Sequence, residues 1–109
     1  MENKRTLRLQ ALLQREIGEI FLRELEFPGQ TFVTITNVSA TPDLQHAQIH
    51  ISVIPDAKEK EVWNILQGSI FQIQQILNKK LRMHPVPKIE WVKADVSSVQ
   101  KVEQLFEQI

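Results

Sequence analysis

Between residues 45 and 54 the hydrophobic period of the chain changes. Ala47, Ile49, Ile51 and Val53 alternate with Gln48, His50 and Ser52, so every second side chain is apolar. A strand with one buried and one polar face satisfies that spacing. On either side the period is longer. Within residues 4–26, Leu9, Leu13, Ile17, Ile20, Phe21 and Leu25 recur at intervals of three and four, which makes one apolar stripe on a helix. Within residues 58–82, Val62, Ile65, Leu66, Ile73, Ile76, Leu77 and Leu81 do the same. A sheet with one apolar face and helices with one apolar stripe are each unstable alone. Packing the helices on that face buries both.

The remaining segments fill in this scheme. Residues 31–38 are rich in β-branched types and predict another strand. Thr41-Pro42-Asp43 then marks a turn, so the two strands form an antiparallel hairpin. Phe27-Pro28-Gly29 ends the first helix, because the residue before proline is pushed out of the helical region. Gly68 falls inside the second helical stretch, where glycine costs about 1 kcal/mol relative to alanine. A break near residues 68–71 is therefore expected. Pro85 and Pro87 prevent further helix. Residues 88–93 alternate around Ile89 and Trp91 and predict a third strand, with both side chains toward the core. Residues 98–108 predict a short last helix with Val102, Leu105 and Phe106 apolar, capped by Ser97 or Ser98. The expectation is an α+β fold in one domain over residues 1–109. Helices cover one face of a three-stranded sheet, and Gln48, His50 and Ser52 line the other.

A chain of 109 residues supports one such core and no more. It has no cysteine, which excludes a thiol nucleophile, a thiolate metal site and a redox pair, and fits a reducing compartment. The longest apolar run is three residues, so no membrane span is expected. The N-terminus enters an amphipathic segment and not a secretory one, which predicts a cytoplasmic protein, mature as written. No long heptad pattern occurs, and a monomer is expected. His46 and His50 have the spacing of a zinc pair on a helix, but four residues of strand span about 13 Å, too far for one ion. No Ser/His/Asp ordering and no paired carboxylates stand out, and three glycines are too few for a phosphate loop. The sequence thus predicts no enzyme, no metal and no cofactor. Trp63 and Trp91 read as packing residues.

Charge is more informative in its distribution than in its sum. Lys plus Arg equals Asp plus Glu at 13 each, and the net charge is zero. Yet residues 1–15 hold Lys4, Arg5, Arg8 and Arg15 against Glu2 alone. Residues 78–93 hold Lys79, Lys80, Arg82, Lys88 and Lys93 against Glu90 alone. These are two basic blocks on an otherwise acidic chain. Brought together they would form a polyanion-binding face. Kept apart they would only solvate their elements, with Lys79, Lys80 and Arg82 suiting a helix C-terminus.

Several short segments in a fixed order resemble the ribosome-binding factor A family. They are Gln14-Arg15-Glu16-Ile17, Val33-Thr34-Ile35-Thr36 with Val38, Asp43-Leu44 with Ala47, and Ser52-Val53. Leu81-Arg82-Met83-His84 leading to Val86-Pro87, then Asp95 with Ser97, complete the set. The resemblance spans nearly the whole chain. It implies a KH-like domain of the second topological type, ordered α-β-β-α-kink-α-β with a short C-terminal helix. It also implies a non-enzymatic factor that binds the small ribosomal subunit late in assembly and assists maturation of its RNA, especially in the cold. The family's Ala-x-Gly kink falls on Ser69-Ile70-Phe71 here, with Gly68 as the alternative kink, and Gln74 stands where arginine is usual. On this reading Lys79, Lys80, Arg82, Lys88 and Lys93 contact RNA phosphates, and Lys4, Arg5 and Arg8 extend the patch. Bases would be met by His84 or by the kink at Gly68, Ser69 and Phe71. The alternatives are a generic single-stranded RNA binder and a protein–protein module using the sheet edge or its polar face.

Overall fold

The structure is a computed structural model that describes residues 4–94. Its order is α1 (Lys4–Glu24), β1 (Phe32–Ala40), β2 (His46–Ile54), a single 3-10 turn (Asp56–Lys58), α2 (Glu59–Lys80) and β3 (Lys88–Lys93). The strands form one sheet in the order β1-β2-β3. β1 and β2 are an antiparallel hairpin, and β3 runs parallel to β2. A parallel neighbour needs a crossover. α2 supplies it. The predicted helix over residues 98–108, with Asp95 and Ser97 before it, lies outside the described residues.

The core follows the two periods. Leu9, Leu13, Ile17, Ile20 and Phe21 of α1 are buried, as are Val62, Leu66, Ile73 and Leu77 of α2. They meet Ala47, Ile49, Ile51 and Val53 of β2, with Ile89 of β3. In β1 the alternation changes phase. Val33 and Ile35 face the core, and then Val38 and Ala40 do. The register shifts between Ile35 and Asn37, so the extra residue Thr36 forms a bulge and moves the apolar set from odd to even positions. Without the bulge Val38 would face outward.

Glutamine side chains from the helices bond to backbone groups on both sheet edges. The N–H of Ala40 donates to Gln10 Oε1 at 3.0 Å, and Gln14 Nε2 donates to the Ile35 carbonyl at 3.1 Å. These tie α1 to the free edge of β1. On the opposite edge, the Gln74 amide from α2 does both jobs of a neighbouring strand. It accepts from the Ile89 N–H at 2.9 Å and donates to the Pro87 carbonyl at 3.0 Å. Edge groups held in this way offer less to an added strand.

The expected break in the second helix is absent. α2 is one helix of 22 residues that runs through Gly68. Tertiary contacts outweigh the cost of that glycine. Leu66 and Ile73 are fully buried on either side of it. Trp91 Nε1 donates to the Leu66 carbonyl at 2.8 Å. Trp91 is as predicted a packing residue, its ring 5.6 Å from that of Phe21. Gly68 itself is exposed. A Cβ added there would meet nothing within 4 Å. Gly68→Ala should therefore raise stability by about 0.5–1 kcal/mol, read as a higher urea midpoint. An unchanged or lower midpoint would contradict an uninterrupted helix. Leu13→Ala, at the fully buried centre of α1, should cost about 2–5 kcal/mol in the same measurement.

Candidate nucleic-acid interface

The hydrogen-bond register decides where the two basic blocks lie. Ala40, at the end of β1, pairs with Ala47 near the start of β2, which pairs with Ile89 near the start of β3. These residues mark one end of the sheet. Gln14 bonds to Ile35 and Gln10 to Ala40, so moving back along α1 leads toward that end. The six residues before Gln10 continue about 9 Å beyond it. Gln74 sits beside Ile89, so the last turns of α2 pass the same end. Residues 81–87 then return the chain to β3. Lys4, Arg5 and Arg8 of the first block therefore share one end of the molecule with Lys79, Arg82, His84 and Lys88 of the second. All seven are exposed. Among the described residues, none of the six Lys and Arg side chains in that set forms an ion pair.

Two members of the expected site are committed elsewhere. Lys80 Nζ lies 2.7 Å from Glu16 Oε2 and 3.5 Å from Glu19 Oε2, so it ties α2 to α1. Lys93 Nζ lies 2.5 Å from Glu59 Oε1. It also stands at the far end of β3, opposite Ile51, away from the other cations. The charge of each is met within the fold. The residues expected at the kink, Gly68, Ser69 and Phe71, belong to the middle of α2. Gly68 and Phe71 are exposed there, whereas the Ser69 hydroxyl is bonded back into the helix.

Glu16 is the buried charge of the core boundary, with only 7% of its surface exposed. Its need for a cation, though not which one, could have been read from the sequence. Glu16 stands three residues after Leu13 and four before Ile20, on the apolar stripe itself, and a buried carboxylate requires a cation. The close Lys80 ammonium holds its carboxyl below the ordinary glutamate value of 4.5, against the opposing effect of burial, and Arg15 adds to the lowering. In return Lys80 is raised above 10.5 by Glu16. The glutamate's contribution is full above pH 4.5 and is lost as pH falls through its lower folded value. That of the lysine is full below pH 10.5 and is lost as pH rises through its higher folded value. Glu16→Gln should lower the thermal midpoint at pH 7 and flatten its decline below pH 4.5 relative to the parent. Parallel pH curves for the two proteins would contradict this.

The hairpin turn sits at the same cationic end. Asp43 Oδ1 accepts from the Thr41 hydroxyl at 2.5 Å and from the Gln45 N–H at 3.1 Å. These bonds hold its carboxyl below the usual range. Leu44 adopts a φ of 61° to close the turn. His46 and His50 lie on β2, four residues apart on one strand. No group of three residues able to hold a metal ion occurs among the described residues. No helix among them is long and apolar enough to cross a membrane.

A one-sided sheet, glutamine-bonded edges and a cationic end define a small α+β domain. Comparison with known proteins gives the particular family. The ribosome-binding factor A profile matches residues 5–106, and the chain belongs to that family. A ribosome-binding factor A from Lacticaseibacillus casei is 34% identical over 107 residues, covering 94% of this chain and 90% of its own. The crystal structure of ribosome-binding factor A from Thermus thermophilus superposes with a TM-score of 0.69 at 20% identity, covering 81% of this chain and 93% of its own. Coordinates of the Thermus thermophilus protein fitted into a cryo-EM map of a 30S–RbfA complex give 0.66 at 21% identity, over 79% and 91%.

Proposed function

We propose that this protein docks on the small ribosomal subunit through its cationic end and assists late maturation of the subunit's RNA without catalysing a reaction. The observation that carries this is the gathering of Lys4, Arg5, Arg8, Lys79, Arg82 and Lys88 at one end, none of them in an ion pair among the described residues. Family membership and the subunit-bound relative support the choice of partner. Phosphate contacts from such a patch give affinity and orientation, with little sequence readout. Each contact should contribute about −0.7 to −0.9 to the log–log salt slope. The protein acts by differential affinity. It binds one arrangement of immature RNA more tightly than another, and that difference sets how far it shifts the population. It works as a single copy, in the cytoplasm with the subunits it binds, and the need for it is greatest in the cold. The rival use of a sheet edge for strand addition is disfavoured by Gln10, Gln14 and Gln74, which already occupy edge groups.

The triple variant Lys79→Glu, Arg82→Glu, Lys88→Glu should co-sediment with small subunits at least about tenfold more weakly and with a shallower salt slope. Lys93→Gln, whose charge is met by Glu59, should bind as the parent does. Parental binding by the triple variant would sink the proposal.

A further inference from the structure

The open face of the sheet, opposite the helices, holds a cavity of about 610 Å³ at the cationic end. That is within the range of small-ligand sites. Two adjacent rungs of side chains line it. Ser39, Gln48 and Glu90 form one, and Thr41, His46 and Lys88 the other. No residue of α1 or α2 is among its described lining, so it is distinct from the helix ends that carry the other cations. Gln48 Nε2 donates to Glu90 Oε1 at 2.9 Å. That bond orients the carboxylate and leaves Glu90 Oε2 and the second lone pair of Oε1 as acceptors.

The chemistry of this lining is selective. A carboxylate accepts only. Guanine is the base whose Watson–Crick edge presents two adjacent donors, the N1–H and the N2 amino group, in line with two carboxylate oxygens. Adenine and cytosine each set a ring-nitrogen lone pair against the carboxylate. Uracil offers one N–H between two carbonyls. Lys88, two residues before Glu90 on β3, is about 7 Å from it along the strand and supplies a cation for a phosphate. His46, paired across from Lys88, offers a ring on which a base can stack, as unpaired RNA bases do on aromatic side chains.

We propose that this cavity seats one unpaired guanine nucleotide of the bound RNA. Glu90 reads the base edge, Gln48 orients Glu90, His46 stacks on the base and Lys88 holds the phosphate. This rests on the RNA-binding function proposed above and adds a base preference to it.

The test uses the full chain and fluorescence anisotropy with short single-stranded RNAs that differ at one central position, guanine, inosine or adenine. The guanine RNA should bind about tenfold more tightly than the adenine RNA, the scale of one good bidentate base contact. Inosine, which lacks the N2 amino group, should lose most of that preference. Glu90→Gln should bring guanine and adenine within about twofold, because a glutamine amide both donates and accepts and no longer selects the guanine edge, and Lys88→Ala should weaken both. Equal, salt-dependent binding of all three RNAs by the parent protein would overturn the guanine site and leave RNA binding standing. Absence of binding to any of them at low salt, and to small subunits as well, would overturn both. Displacement of the guanine RNA by an equal concentration of free guanosine monophosphate would show a free-nucleotide site and overturn the assignment to RNA.

Discussion

The parallel pairing of β2 and β3 determines where the charges of this molecule go. Two parallel neighbours cannot be joined by a turn, so α2 must carry the chain back along the sheet. Its C-terminus therefore arrives beside the start of β3, and Lys79, Arg82 and Lys88 follow within a few residues. α1 runs opposite to β1, as its bonds to Ile35 and Ala40 show, which brings its own N-terminus to the same end. Basic blocks some seventy residues apart in the chain meet because of topology. Their convergence is a consequence of backbone hydrogen bonding, and the neutral total charge does not bear on it.

A three-stranded sheet with helices on one face has two edges and one uncovered side. The two edges are handled alike. A glutamine amide is a peptide group on a side chain, and Gln74 uses both of its ends on β3 as a strand would. Gln74 is also where the family resemblance expects arginine, and the structure gives the glutamine a definite task. The uncovered side keeps its polar rungs, and the Gln48–Glu90 pair is placed there by the register of β2 on β3.

The hydrophobic periods revealed most of the fold, and two cations of the expected site, Lys80 and Lys93, are engaged by carboxylates within the fold. Each strand lies within two residues of its predicted bounds, because alternation in β2 and the stripes on both helices are strong local signals. The bulge at Thr36 was not legible, since its effect is a phase change among residues that are β-branched on both sides of it. The break at Gly68 was expected from local propensity, which Leu66, Ile73 and the Trp91 indole override. Lys80 and Lys93 look like free cations in the sequence because their acids are distant in the chain. Lys80 meets Glu16 across the helix pair, and Lys93 meets Glu59 across the crossover. Pairing of that kind is a tertiary fact. For Glu16 alone, its place on the apolar stripe announced that a cation would be needed.

The proposed function requires that one end of the sheet, and not the other, face RNA. Amide hydrogen exchange of the full chain, free and bound to small ribosomal subunits, tests this most directly. The account predicts added protection in residues 4–10, 41–46 and 79–88, with none in residues 54–60 around the Lys93–Glu59 pair. Protection confined to residues 54–60, with the cationic end exchanging as in the free protein, would contradict it.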